Sequence, residues 1–275
     1  MRITDAHIHF WRIGGPGQVW PDAAWPALHQ DFLPHDLIAE AATPDLAGGV
    51  LVQSQADDRD TDWMLTLDDP LIRAIVGWVD LSHPDATDRI AALARHPRMR
   101  GLRPMLQGIG DTEWMLRTDL APAIDAMIAH GLRFDALVEP RHLAVLYRFA
   151  SRWPDLPIVI DHAAKPHVAA GRLDPWRDEI AALAALPNIW CKLSGLRTEQ
   201  SPGQPHAALR PYVAHLVASF GDRLMWGSDW PVLRHAGDRY TDWIAATRDL
   251  IGPSTPEHQA RLFDGAARAF YGIDI

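Results

Sequence analysis

An eight-stranded α/β barrel, (β/α)8 and somewhat distorted, is the fold this sequence predicts. Three observations point to it. Short apolar runs alternate with amphipathic segments along the whole chain, the pattern of βα units around a parallel sheet. Eight such runs fit into 275 residues, the count and length of a barrel. Charged side chains stand where several of these runs end, the rim at which barrels build their sites. An open doubly wound sheet is the alternative, but Gly14-Gly15-Pro16-Gly17 lacks dinucleotide-loop spacing, and Pro16 removes an N–H that a phosphate would need.

The strands are expected at Arg2–His9, Gly49–Gln53, Ala74–Asp80, Met99–Leu106, Arg133–Val138, Pro157–Asp161, Ile189–Ser194 and Leu224–Ser228. Runs such as Ile158-Val159-Ile160 are apolar throughout, as strands covered on both faces must be. Helical spacing links Leu143, Leu146, Tyr147 and Ala150, and again Leu209, Tyr212, Val213, Leu216, Val217 and Phe220. Asp174-Pro175 and Thr255-Pro256 each read as an N-cap followed by Pro in the first turn. The first connection, about 10–48, is long and carries Trp11, Trp20 and Trp25, which predicts a packed, functional loop. No composition shift divides the chain, so 1–275 reads as one domain.

Composition removes several function classes. At 48% apolar and 22% charged residues the chain is an ordinary globular one. Net charge is −9, which disfavours capture of nucleic acid or an anionic membrane. Mean hydropathy is −0.13 and no apolar run reaches the roughly 18 residues of a membrane span. Met1-Arg2-Ile3-Thr4-Asp5 runs directly into polar residues, so a cytoplasmic location is expected. The lone Cys191 excludes an intramolecular disulfide and a multi-cysteine zinc site. Twelve Trp stand against four Tyr, and there are 14 His.

Asp5, His7 and His9 alternate on the first strand and are expected to share its interior face, with His9 at the rim. Two imidazoles at i,i+2 can reach one metal ion, although two polar residues on an exposed face look the same in sequence. His162 follows the sixth strand, with Lys165 in the same loop, and Asp229 follows the eighth. A carboxylate at that rim can ligate a metal and take a proton from water, or merely cap the next helix. Arg103 can hydrogen-bond a substrate oxygen. Gln53 and Glu139, at the ends of the second and fifth strands, are further candidates for substrate contact, Glu139 equally for a ligand or a structural role. Lys192 is either an interior charge or an edge residue.

Taken together, Asp5-Ala6-His7-Ile8-His9-Phe10-Trp11, Gly101-Leu102-Arg103, Ile160-Asp161-His162-Ala163-Ala164-Lys165-Pro166, Trp190-Cys191-Lys192-Leu193-Ser194-Gly195-Leu196 and Trp226-Gly227-Ser228-Asp229-Trp230-Pro231 resemble the amidohydrolase superfamily. The chain is most similar to the amidohydrolase-2 branch that contains L-fuconolactonases, L-rhamnonolactonases and pyrone-dicarboxylate lactonases. The resemblance implies a hydrolase opening a lactone ring, with His7, His9, His162 and Asp229 in the metal-ligand positions. Arg103 and Glu139 depart from the lysine and histidine of binuclear members, which implies one divalent metal, zinc, or metal-independent catalysis. The catalytic residues are then Asp229, His162 and Arg103, and the substrate a small sugar-acid lactone such as L-fucono- or L-rhamnonolactone. Trp11, Trp230, Glu139, Lys165 and Gln53 are expected to hold it. Two other readings compete: a metal-dependent decarboxylase of aromatic or unsaturated acids, and a non-catalytic sugar-acid binder. Oligomeric state is left open.

Overall fold

The computed structural model describes residues 1–43 and 45–274. Eight strands form one sheet in sequence order: β1 Ile3–Ile8, β2 Leu46–Val52, β3 Ile72–Gly77, β4 Met99–Leu102, β5 Arg133–Ala136, β6 Ile158–Ile160, β7 Ile189–Leu193 and β8 Leu224–Trp226. Every adjacent pair is parallel. The sheet curls until β8 meets β1. There the seam is held by Asp229 N–H donating to the His7 carbonyl (2.9 Å) and His9 N–H donating to the Trp230 carbonyl (2.7 Å). The expected (β/α)8 barrel is therefore the fold observed.

Helices α1 Pro34–Ala41, α2 Asp58–Thr66, α3 Ala86–Leu93, α4 Ala121–Ala129, α5 Leu143–Arg152, α6 Trp176–Ala184, α7 Arg210–Phe220 and α8 Tyr240–Leu250 accompany the strands. Two short helices, α9 Pro256–Ala260 and α10 Ala266–Tyr271, end the chain. Among the described residues no helix is long and apolar enough to cross a membrane. Thr255 caps α9 through the His258 N–H, as its Thr-Pro pair predicts. The Asp174-Pro175 reading is off by one: Pro175 itself is the cap position and α6 starts at Trp176. The long first connection also differs from expectation, because Pro34 opens α1 within it.

Strand residues divide between two apolar layers. Leu51, Ile75, Leu102, Phe134, Ile158, Ile160 and Leu193 belong to the core shared with the helices. Ala6, Val50, Val52, Ala74, Val76, Val159 and Met225 form a second cluster with Phe270 and Tyr271 of α10, which closes one end of the barrel. The other end carries the site.

Candidate active site

The first strand does not keep strict alternation. Asp5 pairs with Gly49 but Ile8 pairs with Leu51, so three steps on β1 match two on β2. This bulge turns the imidazole of His7 inward. Asp5 is thereby taken off the face expected for it. Its Oδ1 accepts the backbone N–H groups of His7 (3.0 Å) and Ser228 (2.9 Å), across the seam. Gly227 lies close beside this seam, and a Cβ there would stand 2.9 Å from His7 Cβ.

Four ligand-type side chains converge above the bulge. His7 Nε2 lies 3.1 Å from His9 Nε2. Asp229 Oδ1 lies 3.8 Å from His7 Nε2, 3.4 Å from His9 Nε2 and 3.9 Å from His162 Nε2. Tetrahedral zinc with bonds near 2.1 Å needs donor atoms about 3.4 Å apart, so His7, His9 and Asp229 fit such an ion in both chemistry and spacing, with His162 alongside at 3.9 Å from Asp229. The outer contacts agree. His9 Nδ1 is 2.8 Å from the Val52 carbonyl, which can only accept, so Nδ1 carries the proton and Nε2 keeps its lone pair. His162 Nδ1 meets Ser194 Oγ at 2.9 Å, again leaving Nε2 for the site. Burial lowers the proton affinity of all three imidazoles, His162 to about 4, so they are neutral at pH 7, as metal ligands must be. Burial disfavours the charge on Asp229, but in acid His162, His9 and His7 take up protons, outweigh it and hold the carboxyl well below the usual range. Asp229 is thus an anion at neutral pH.

A buried charge network supports this floor. Lys192 is interior: its Nζ donates to Asp135 (2.6 Å) and pairs with Asp161 Oδ1 (2.9 Å), and it lies 3.2 Å from His7 Nδ1. Tyr271 donates to the same Asp135 at 2.6 Å. Arg103 reaches Asp161 Oδ2 (3.4 Å) and His7 Nε2 (3.3 Å), and also donates to the Gln53 carbonyl. Burial opposes the charge on Asp161, but Lys192, His7 and Arg103 more than compensate and keep it ionised. His7, Asp161 and His162 form a second group of ligand type, yet Asp161 is already held by two cations.

Over the floor opens a cavity of about 460 Å³, the size of a small-molecule site. His9, His162, Asp229 and Arg103 face it from below. Ser54, Gln107, Lys165, Thr198 and Glu199 make a polar wall, and Trp20, Trp25, Met105, Leu137 and Val232 an apolar one, with His235 at the mouth. His162 and Lys165 reach it together because residues 162–165 form a left-handed turn, with φ between 50° and 59°. The repeat of three puts positions 162 and 165 on one side. Trp176 Nε1 donates to the Ala163 carbonyl and pins the turn (2.8 Å).

The structure brings His7, His9, His162, Asp229, Arg103 and Lys165 together. It does not bring four other candidates to the cavity. Trp11 is buried behind the wall with Nε1 donating to the Gln30 carbonyl, and Trp230 is buried against Phe10 and Phe32. Both are turned into the packing because the long loop folds back over them through a Trp11–Phe32 bridge. Gln53 lies behind Arg103 and donates to its carbonyl (2.9 Å). Glu139 pairs with Arg141 at 3.0 Å and lines a neighbouring cleft. In place of Trp11 and Trp230, the same aromatic cluster presents Trp20 and Trp25. Nothing in the local sequence marks Gln107, Thr198, Glu199 or His235, which stand on short 3-10 turns between the strands and helices.

The sequence pattern of the amidohydrolase family matches residues 4–273. An L-fucono-1,5-lactonase of Burkholderia ambifaria is 47% identical, with 98% of this chain and 95% of that protein covered. An L-fucono-1,5-lactonase of Burkholderia multivorans is 36% identical over the same shares. The crystal structure of an amidohydrolase from Burkholderia multivorans with bound zinc superimposes with a TM-score of 0.90 at 31% identity, covering 100% of both chains.

Proposed function

Because the chain belongs to the amidohydrolase family, we propose that it opens a sugar-acid lactone, L-fucono-1,5-lactone first among them, with Asp229 moving the proton. The cavity floor supports this reading most directly: one ionised carboxylate, Asp229, lies within 3.4–3.9 Å of three neutral imidazoles and faces a cavity of sugar size. Full-length likeness to two L-fucono-1,5-lactonases supports the lactone as substrate.

His7, His9 and Asp229, with His162 as the fourth donor, would hold the metal, and we assign zinc to it. A zinc ion bound there supplies Lewis acidity and lowers the pKa of water. The protein's own groups carry the rest. Asp229 accepts a proton from water as the water oxygen bonds to the lactone carbonyl carbon. Arg103, buried beside the floor, stabilises negative charge developing on the carbonyl oxygen. The ring C–O bond then breaks, and Asp229 returns its proton to the departing ring oxygen. The product is an open hydroxy acid, whose carboxyl proton passes to solvent. An ester-type leaving group needs less protonation than an amide, so one carboxylate can serve both steps.

Acid release from aldono-1,5-lactones, followed with a pH indicator above the spontaneous rate, is the test. Asp229→Asn should lose 10²- to 10⁴-fold in kcat, roughly the worth of a positioned acid–base group, while the protein still folds, as its circular dichroism would show. Near-wild-type turnover would remove Asp229 from this role. Carbon dioxide released from aromatic acids, with no acid from any lactone, would overturn the lactonase reading itself.

A further inference from the structure

Most charged groups on the cavity wall already have a partner within the protein. Arg103 is held by Asp161 and the Gln53 carbonyl, Lys165 donates to Gln107, and Asp229 faces His9. Glu199 differs. It is half-buried and lines the cavity beside Thr198, yet among the described residues its carboxylate meets no hydrogen-bond donor and no ion-pair partner. Its backbone is nevertheless anchored. Its carbonyl accepts from Ala169 N–H (2.9 Å), and the preceding residue but one, Arg197, is clamped to Asp238 at 2.6 Å. Asp238 also takes His206 Nε2 at 3.0 Å. A partly desolvated carboxylate on an anchored backbone, with both oxygens open, is available as an acceptor. Burial pushes its acid form up, Lys165 opposes this, and Glu139 and Asp229 add to it, so a ligand that donates to Glu199 relieves an unfavourable environment.

The neighbours specify what that ligand offers. Lys165 has ammonium protons beyond the one given to Gln107. Thr198 Oγ1 donates to the Gly195 carbonyl at 2.8 Å and keeps its lone pairs for the cavity. Acceptor, donor and acceptor side by side suit hydroxyl groups, which both give and take. We propose that Glu199 is a specificity-determining residue that accepts hydrogen bonds from adjacent hydroxyls of the substrate, so that the enzyme selects polyhydroxylated lactones over bare ones. This inference rests on the lactonase reading above and adds to it the group that reads the sugar.

The test compares Glu199→Gln and Glu199→Ala with wild type on two six-membered lactones: a polyhydroxylated aldono-1,5-lactone and δ-valerolactone, which has the ring and no hydroxyls. The quantity read is the ratio of kcat/KM on the first to that on the second. The expected result is a fall of about tenfold or more for Gln and a larger one for Ala, since losing a charged hydrogen bond to a substrate hydroxyl has effects of this order. Because both rates come from one sample, partial unfolding cancels from the ratio. A second readout needs no control lactone: KM for the hydroxylated substrate should rise more than kcat falls. A ratio within twofold of wild type in both variants, with KM unmoved, overturns the role of Glu199. Wild-type protein that opens neither lactone overturns the lactonase reading instead.

Discussion

Gly195 has no side chain because His162 occupies the room. A Cβ there would lie 2.4 Å from His162 Nδ1, and the backbone sits at φ +63° besides. Gly195→Ala should therefore displace the imidazole and lower kcat/KM by about 10²-fold, the usual effect of a 1 Å misplacement. Steady-state kinetics at matched folded fraction measures it, and an unaltered kcat/KM would mean the ring adapts freely. Asp60 makes a different prediction. Its Oδ2 accepts the N–H groups of Ser54 (2.9 Å) and Gln55 (3.2 Å), which shape the cavity wall and clamp Trp20. Burial raises its pKa from 3.8 to about 6. The folded state then holds a proton that the unfolded state has released. Stability from this group is complete below pH 3.8 and is lost as pH rises through 6. Wild type should lose up to roughly 3 kcal/mol relative to Asp60→Asn between pH 3 and pH 8. Melting curves across that range would show the gap moving in favour of Asn, and a flat gap would contradict it. At this scale His7, His9, His162 and Asp229 are legible in sequence because each lies on or just past an apolar strand, where period and position agree. Glu199, Gln107 and Trp20 are not, because a loop residue has no period and its direction depends on distant contacts such as Arg197–Asp238.

Among the elements, the left-handed turn at 162–165 is the one that ordinary propensity argues against. Four successive non-glycine residues there carry a conformation costing roughly 1–2 kcal/mol each. Such strain persists only where the surroundings impose it, and Trp176 at the start of α6 is one group that does. Trp176→Phe keeps most of the packing against Tyr212 but leaves the buried Ala163 carbonyl unpaired. A loss of about 1–3 kcal/mol in stability is expected, together with a several-fold lower kcat/KM as Lys165 and His162 lose their shared direction. Equal kinetics in the destabilised variant would show that the turn holds itself. The strands themselves are readable as apolar runs. Their ends are less so: β4 stops at Leu102 and β8 at Trp226, short of the expected Leu106 and Ser228, because the rim residues leave the ladder to aim side chains inward. The bulge in β1 is invisible to an alternation count, which assumes one residue per step.

For the molecule as a whole, the barrel is legible from the number and spacing of its strands, whereas its closure is not. The seam depends on two hydrogen bonds between backbones at the site and on the Asp5 carboxylate. Zinc at this seam would tie the two edge strands together and should stabilise the entire fold. Free zinc at a hundred times its Kd should add about 2.7 kcal/mol, seen as a higher melting temperature that a chelator reverses. His7→Asn/His9→Asn protein should show no such response; an equal shift there would place the ion elsewhere. The same seam sets an order of events during synthesis. Asp5 and Ser228 bond across 223 positions of chain, so β1 must wait for β8 to be made. At about 5–20 residues per second that interval lasts roughly ten to forty-five seconds. Throughout it, His7 on β1 and His9 just past its end stand beside an unpaired strand edge, the kind of surface that recruits stray strands. The nascent chain is most exposed to mispairing at the place where the finished enzyme does its work.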